Sequence, residues 1–417
     1  MNNSINSLLE PFQHFGVNLG LKRIQKLLED LNNPHHRVPI IHVAGTNGKG
    51  SVCAYLSSVL TVAGYRVGRY TSPHLVNWTE RIALNEQPIT EEALIAVLKE
   101  VIAKAMLASD TPTQFEVITA AAWLYFAQSQ VDIAVIEVGL GGRLDATNVC
   151  DRPLASIIVS LSKEHWQTLG PTVADIAREK AGVLKANCPA IIGSLPPDAA
   201  AVVEARIKEL NCPVMWVQSA VEIAAKNGQR WAKYQDIEYP LPLLGEMQLN
   251  NSAIAIATLQ ILQQQGWQIK PQNITQGIAK TQWRGRIQWT TWGDRQMLID
   301  GAHNPAAAKF LRQYVDTLDK PLIWLMGMLS TKDHQDIFEA LLHPGDELYL
   351  VPVPDHSSAK PDELAKLAQE VCPNLAKCQT ETDLFAALDS ISNRTDNQEK
   401  IIVFCGSLYL IGYFFSH

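Results

Sequence analysis

The stretch Val38–Ser58, VPIIHVAGTNGKGSVCAYLSS, constrains this chain more than any other part of it. An apolar, β-branched run from Val38 to Ala44 predicts a buried strand, and the apolar periodicity after Ser51 predicts a helix. Between them, Gly45, Gly48 and Gly50 permit sharp turns and bring backbone amides close to a ligand that a side chain would hold off. Strand, glycine turn and helix in that order form a phosphate-binding turn, in which free amides face an anion and the helix presents its positive end to it. Asn47, Gly48, Lys49, Gly50 and Ser51 are its candidate contacts. Lys49 supplies a point charge for the outer phosphates and Ser51 a hydroxyl for Mg²⁺. The spacing departs from the commoner P-loop: GTNGKGS has two residues between its first glycines and an extra Gly50 between lysine and hydroxyl.

At 417 residues the chain exceeds what one hydrophobic core usually supports. Two domains are expected, 1–285 carrying the phosphate turn and 286–417 following a break in the regular elements. A composition 47% hydrophobic and 18% charged, with ten tryptophans, excludes disorder. The net charge of −7 speaks against a nucleic-acid surface, so no nucleic-acid partner is expected. Seven scattered cysteines contain no CxxC pair or zinc spacing and read as small core residues. The N-terminus shows no basic segment followed by an apolar core, and no run reaches the length of a membrane span. A cytoplasmic protein without a membrane partner is the expectation.

Strand and helix signals alternate along both halves, which predicts an α/β fold with parallel-rich sheets. Ligands in such sheets bind beyond the carboxyl ends of the strands, so polar residues that follow a strand face the same rim as the phosphate turn. Ser72 follows the strand 66–70, Glu137 ends the strand Ile133–Val138, and His165 lies beyond the strand Ala155–Leu161. An acid inside an apolar strand needs a partner, which a magnesium ion or a nearby Arg or Lys would supply. His165 reads equally as a loop residue or a ligand. Lys180, in the helix 172–181, reads from spacing alone as a salt-bridge residue. Residues 218–243 are polar and strand-like, and a helix covers 250–265.

Several separate stretches together resemble one family, the folylpolyglutamate and dihydrofolate synthases, relatives of the Mur peptidoglycan ligases. They are LGLKRI at 19–24, HVAGTNGKGS at 42–51, YTSPHL at 70–75, ERI at 80–82, EVGLGGRLDATN at 137–148, REKAG at 178–182, RGRI at 284–287, DGAHNP at 300–305 and GSLYL at 406–410. The resemblance implies a Mur-ligase-like P-loop ATPase domain followed by a smaller Rossmann-like α/β domain. It also implies an ATP-dependent ligase that joins L-glutamate to dihydropteroate or a reduced folate through an acyl phosphate, working as a monomer with ATP and Mg²⁺. By the same likeness Ser51, Ser72, Glu137 and His165 hold magnesium, and Lys180 matches a lysine that is carbamylated in relatives and then holds a second ion. Asn251, Arg286 and Asp300 match nucleotide contacts. His303 joins Lys49 and Lys180 as a catalytic candidate. Leu21, Arg23, Phe115, Leu144, Asp145 and Ala146 are the candidates for the pterin side. Two positions depart from the family pattern: Lys163-Glu164-His165 stands where relatives have Leu-Asp-His, and Met247 stands where they have histidine.

The nearest rival reading is a Mur-type ligase acting on another carboxylate, which the long string from Glu137 to Asn148 disfavours. A second rival, from another class, is a nucleotide switch or transporter ATPase that hydrolyses ATP without ligation.

Overall fold

The computed structural model describes residues 2–15, 18–394 and 399–417. They divide into two compact units, Met1–Pro242 with Gln248–Gln282, and Leu243–Met247 with Trp283–His417. A division at 285/286 does not anticipate the excursion of Leu243–Met247, whose Leu244 and Met247 pack against the core of the second unit.

The first unit is built on an eight-stranded sheet. Its strands are β1 (Ile40–Ala44), β2 (Val67–Tyr70), β3 (Ile82–Leu84), β4 (Gln87–Pro88), β5 (Ile133–Glu137), β6 (Ala155–Ile158), β7 (Ala190–Ile192) and β8 (Val214–Trp216). Their order is β4-β3-β2-β5-β1-β6-β7-β8. From β2 to β8 every pair is parallel, and the β2–β3 and β3–β4 pairs are antiparallel. β1 and β5 are buried along their whole length, as expected of strands covered on both faces. A separate antiparallel sheet, β11-β10-β9, comes from β9 (Val221–Lys226), β10 (Gln229–Tyr234) and β11 (Ile237–Pro240), in the stretch that read as polar and strand-like.

The helices carry legible start signals. Thr113 caps the helix Gln114–Gln128 by accepting from the amide of Glu116, whose carboxylate accepts the Thr113 amide in return. Thr172 and Asp175 form the same reciprocal cap on Val173–Ala181. On one side of the sheet, Ile24, Leu28, Leu94, Leu98, Trp123 and Phe126 form a core with Ile136 and Tyr70. A smaller core joins Ile158 and Ile192 to Ala177, Val203 and Ile207. The opening residues form the helix Asn2–Leu9, and Ile5, Leu9 and Phe12 enter the larger core. Too few residues carry an apolar period there for the pattern to declare itself.

The second unit holds a six-stranded sheet of order β12-β13-β17-β14-β15-β16, with β12 (Gln288–Trp292), β13 (Arg295–Ile299), β14 (Leu322–Met326), β15 (Glu347–Leu350), β16 (Lys377–Thr380) and β17 (Ile401–Cys405). Only the β12–β13 hairpin is antiparallel. β12 occupies residues that read as an interruption, because its polar threonines belong to a half-exposed edge strand. Both units are therefore the parallel-rich α/β bodies that the alternation predicts.

The helix Lys49–Val62, which follows β1, is held against the helix Pro271–Lys280 by a close crossing at Gly277. Ser58 Oγ donates to the Gly277 carbonyl at 2.7 Å, and a Cβ on Gly277 would lie 2.4 Å from Val59 Cα. Backbone cannot yield as a flexible side chain would. Gly277→Ala is therefore expected to cost about 1–3 kcal/mol through overpacking and to lower Tm by several degrees in a thermal melt. An unchanged Tm would show that the crossing is not a tight one.

Candidate active site

The parallel strands of the first unit bring several loops to one rim. Gly48 (φ 87°) is the left-handed residue that starts the helix Lys49–Val62 immediately beyond β1, with Gly50 and Ser51 in its first turn. The loop after β6 grips the turn: Thr46 N–H donates to the Ser160 carbonyl at 2.8 Å, and Asn47 N–H donates to Ser160 Oγ at 3.1 Å. Ser160 Oγ returns a bond to the Asn47 carbonyl at 2.9 Å, and Ser162 N–H reaches Thr46 Oγ1 at 3.1 Å. Ser160 and Ser162 are thus supports from a second loop that no motif in the sequence marked.

Two cations converge on this turn. Lys49 Nζ donates to the carbonyls of Gly45 (3.1 Å) and Thr46 (3.0 Å), and Lys180 Nζ donates to the same Gly45 carbonyl at 2.8 Å. Lys180 is 4% exposed. Burial, reinforced by the neighbouring Lys49 charge and opposed by Glu164 and Asp145, brings its ammonium down from 10.5 to about 7. On the other side of the turn, Asn251 Oδ1 stands so near Gly48 that a Cβ there would meet it at 2.4 Å. Asn251 Nδ2 donates to Gln248 Oε1 at 3.1 Å, and Gln248 Nε2 reaches Ser51 Oγ at 3.4 Å. Gln248, one helical turn before Asn251, is a further residue beside the turn, and no motif marks it.

Glu137 closes β5 opposite Val43 of β1 and is 5% exposed. Its Oε2 accepts the amide of Ser72, in the loop beyond β2, at 3.1 Å. Ser51, Ser72 and Glu137 are oxygen donors, the chemistry that a hard, small cation such as Mg²⁺ requires. Among the described residues no group of three or more His, Cys, Asp or Glu side chains gathers as a metal cage. The donor set therefore suits an ion completed by hydroxyls, water and phosphate oxygens. His165 occupies a left-handed position at the start of the short helix Trp166–Leu169, with Nε2 4.0 Å from Glu164 Oε1.

The candidates for an organic acid lie along the neighbouring side of the same unit. The Gly20 amide donates to the Leu144 carbonyl at 3.3 Å, which ties the segment beginning at Leu21 to the turn before Asp145 and Ala146. Phe115 covers Gly139 so closely that a Cβ there would fall 2.4 Å from the ring, and it lies 6.3 Å from Tyr70 between centroids. Asp145 accepts the Leu140 amide on Oδ2 (2.8 Å) and the Thr147 amide on Oδ1 (3.0 Å). Burial raises its pKa, opposed first by the Thr147 hydroxyl and then by these amides. Arg23 has structural partners: Nε donates to the buried Glu116 at 3.0 Å, and another guanidinium nitrogen donates to the Asn18 carbonyl.

In the second unit Asp300 is buried, and its two oxygens accept the amides of Ile287 and Ala302, each at 2.8 Å. Burial raises its pKa and the Arg286 guanidinium opposes that rise most strongly. His303 Nδ1 lies 2.7 Å from the Gly301 carbonyl, and Asn304 caps the helix Pro305–Asp316.

Residues 43–259 match the Mur ligase middle domain, and residues 285–417 match the C-terminal domain of dihydrofolate synthetase. Folylpolyglutamate synthase of Lacticaseibacillus casei is 36% identical over 407 residues, spanning 93% of this chain and 92% of that protein. Dihydrofolate synthetase of Saccharomyces cerevisiae is 35% identical, spanning 95% and 97%. Mycobacterium tuberculosis folylpolyglutamate synthase complexed with ADP superimposes with a TM-score of 0.89 at 30% identity, covering 99% of this chain and 97% of that one. The Escherichia coli FolC complex with DHPP and ADP gives 0.85 at 29% identity, covering 99% and 96%. Fold and rim together define an ATP-dependent, amide-forming ligase of the Mur type. Within that class the chain belongs to the folylpolyglutamate synthase and dihydrofolate synthase family.

The buried pairing of Arg23 with Glu116 separates a structural role from a binding one. Arg23→Leu would leave Glu116 buried and unpaired, a loss on the order of 3 kcal/mol, and Tm is expected to fall markedly in the absence of any ligand. A variant with unchanged Tm but weakened binding of the acid substrate would assign Arg23 to the substrate instead.

Proposed function

We propose that this chain joins L-glutamate to dihydropteroate, to folate glutamates, or to both. ATP first phosphorylates the acid and leaves as ADP; the glutamate amine then displaces phosphate from the acyl phosphate and forms the amide. What supports this reading above all is the convergence of Lys49 and Lys180 on one carbonyl of the phosphate turn. Leu21, Arg23, Phe115, Leu144, Asp145 and Ala146 are assigned to the acid.

A carboxylate resists amine attack until it carries a leaving group, so the site must hold the terminal phosphate of ATP in line with the acid and absorb charge during transfer. The amides of Gly48 to Ser51 receive the phosphates, with Asn47 bordering them, and Lys49 leaves its carbonyls to neutralise them. Asn251 borders the same turn as a nucleotide contact. Ser51, Ser72, Glu137 and His165 would hold Mg²⁺, which supplies charge stabilisation at the phosphates. Arg286, suited to phosphate charge, and Asp300, suited to hydroxyl binding, are assigned to the nucleotide, and His303 to the reacting groups. We place the enzyme in the cytoplasm as a monomer. Among the described residues no helix is long and apolar enough to cross a membrane, and all seven cysteines are free.

Lys180 is proposed to carry a carbamate. A neutral amine adds CO₂ to give N-carboxylate and a proton, and an ammonium does not react. Burial brings the Lys180 ammonium down to about 7, so the neutral, reactive form is within reach near neutral pH and grows as pH rises. Carbon-13 bicarbonate is expected to label the protein with one carbamate signal that Lys180→Arg lacks and that strengthens from pH 6 to 8. An unlabelled wild-type enzyme would refute the assignment.

The test of the function offers dihydropteroate and tetrahydrofolate separately, with ATP, Mg²⁺ and glutamate, and weighs the products. A mass gain of one glutamate residue with at least one acid is expected, with phosphate release dependent on both acid and glutamate. Lys49→Ala is expected to reduce turnover by about a hundredfold or more. Free-running hydrolysis without a ligated product would favour the ATPase reading.

A further inference from the structure

Gln248 has no role in the assignments above, yet it is buried and the two ends of its side-chain amide meet two different parts of the site. It lies in the first turn of the helix Met247–Gln264, and Asn251 follows one turn later on the same face. Asn251 Nδ2 donates to Gln248 Oε1 at 3.1 Å, and Gln248 Nε2 donates to Ser51 Oγ at 3.4 Å. Asn251 and Ser51 are buried as well. One carboxamide therefore joins a residue assigned to the nucleotide to a hydroxyl assigned to the cation.

A side-chain amide donates from one end and accepts at the other, so a line of two amides has two self-consistent directions. In the first, Asn251 presents its oxygen to the phosphate turn and Gln248 donates to Ser51. With both amides turned over, Asn251 presents its NH₂ group to the turn and Gln248 takes the Ser51 proton. Asn251 stands against Gly48, where a Cβ would meet Oδ1 at 2.4 Å, beside the amino end of the helix Lys49–Val62. That end carries N–H donors without helical partners and the positive pole of the helix. It attracts an oxygen and repels an NH₂ group. The turn thus selects the first direction, in which Ser51 Oγ accepts and its proton is not given to Gln248.

We infer that Gln248 is a positioning residue that couples the two halves of the nucleotide–Mg²⁺ site: it holds the Asn251 amide and the Ser51 hydroxyl in one fixed relation, so that the cation strengthens nucleotide binding. This rests on the assignment of Ser51 to Mg²⁺ and of Asn251 to the nucleotide. The effect of Gln248 passes through these two partners.

The test measures ADP affinity of the intact protein by calorimetry, with and without Mg²⁺, and takes the ratio of the two as its readout. Gln248→Leu keeps most of the volume and removes both bonds, and is expected to reduce the Mg²⁺-dependent gain by about two- to tenfold, the range of one hydrogen bond between neutral groups. In a Ser51→Ala background the same substitution is expected to leave the ratio unchanged, because the coupled partner is already gone. A merely structural loosening would weaken ADP alike with and without Mg²⁺; a folded Gln248→Leu protein with the wild-type ratio would therefore overturn the inference. A Ser51→Ala protein with the full wild-type gain would overturn the cation assignment, and the inference with it. Neutron diffraction from deuterium-exchanged wild-type crystals provides an arm that needs no variant to fold. The Gln248 nitrogen is expected to face Ser51 and the Asn251 nitrogen to face Gln248, and reversed amides would overturn the inference. Should the wild-type protein bind no ADP, the nucleotide reading of the turn fails, and the amide directions still decide separately whether the line runs as described.

Discussion

Two ammonium groups donate to one backbone oxygen in this protein, those of Lys49 and Lys180 to the carbonyl of Gly45. Like charges at that separation, one of them buried, repel strongly unless an anion arrives or one of them gives up its proton. Either outcome is chemistry. An incoming polyphosphate would relieve the repulsion and draw Lys49 off the carbonyls, and a neutral Lys180 is the form that the proposed carbamate requires.

The fold makes that convergence possible. β1, β2, β5 and β6 run parallel, so the loops after all four open on one rim. Lys180 comes from the helix Val173–Ala181, after β6, and reaches back to the loop after β1. Glu137 and Ser72 are joined across the ends of β5 and β2 by a single hydrogen bond. The helix Lys49–Val62 is fixed from outside by its close crossing at Gly277, which leaves its first turn facing the rim. The second unit repeats the parallel principle on a smaller sheet, and there Asp300 accepts the Ile287 amide, next to Arg286, on one oxygen and the Ala302 amide on the other.

Much of this was legible in the sequence because the signals were local. A β-branched run, a glycine turn and a helix period identify the phosphate turn without help from distant residues, and Glu137 stands out as an acid at the end of an apolar strand. What stayed hidden depends on partners far along the chain. The ion pair of Arg23 depends on Glu116, 93 positions away, which no local pattern links to it. Gln248 and Ser160 carry no motif of their own and matter only because the helix Met247–Gln264 and the loop after β6 pass the phosphate turn. β12 was illegible for a different reason: an edge strand with half its face in water lacks the apolar run that marks a buried one.

The most direct measurement is a crystal structure with Mg²⁺ and a non-hydrolysable ATP analogue. The account predicts the phosphates against the amides of Gly48 to Ser51, with Lys49 Nζ withdrawn from the Gly45 and Thr46 carbonyls and bonded to a phosphate oxygen. A nucleotide bound away from this turn, or a Lys49 that keeps its carbonyl bonds while the nucleotide is present, would contradict it.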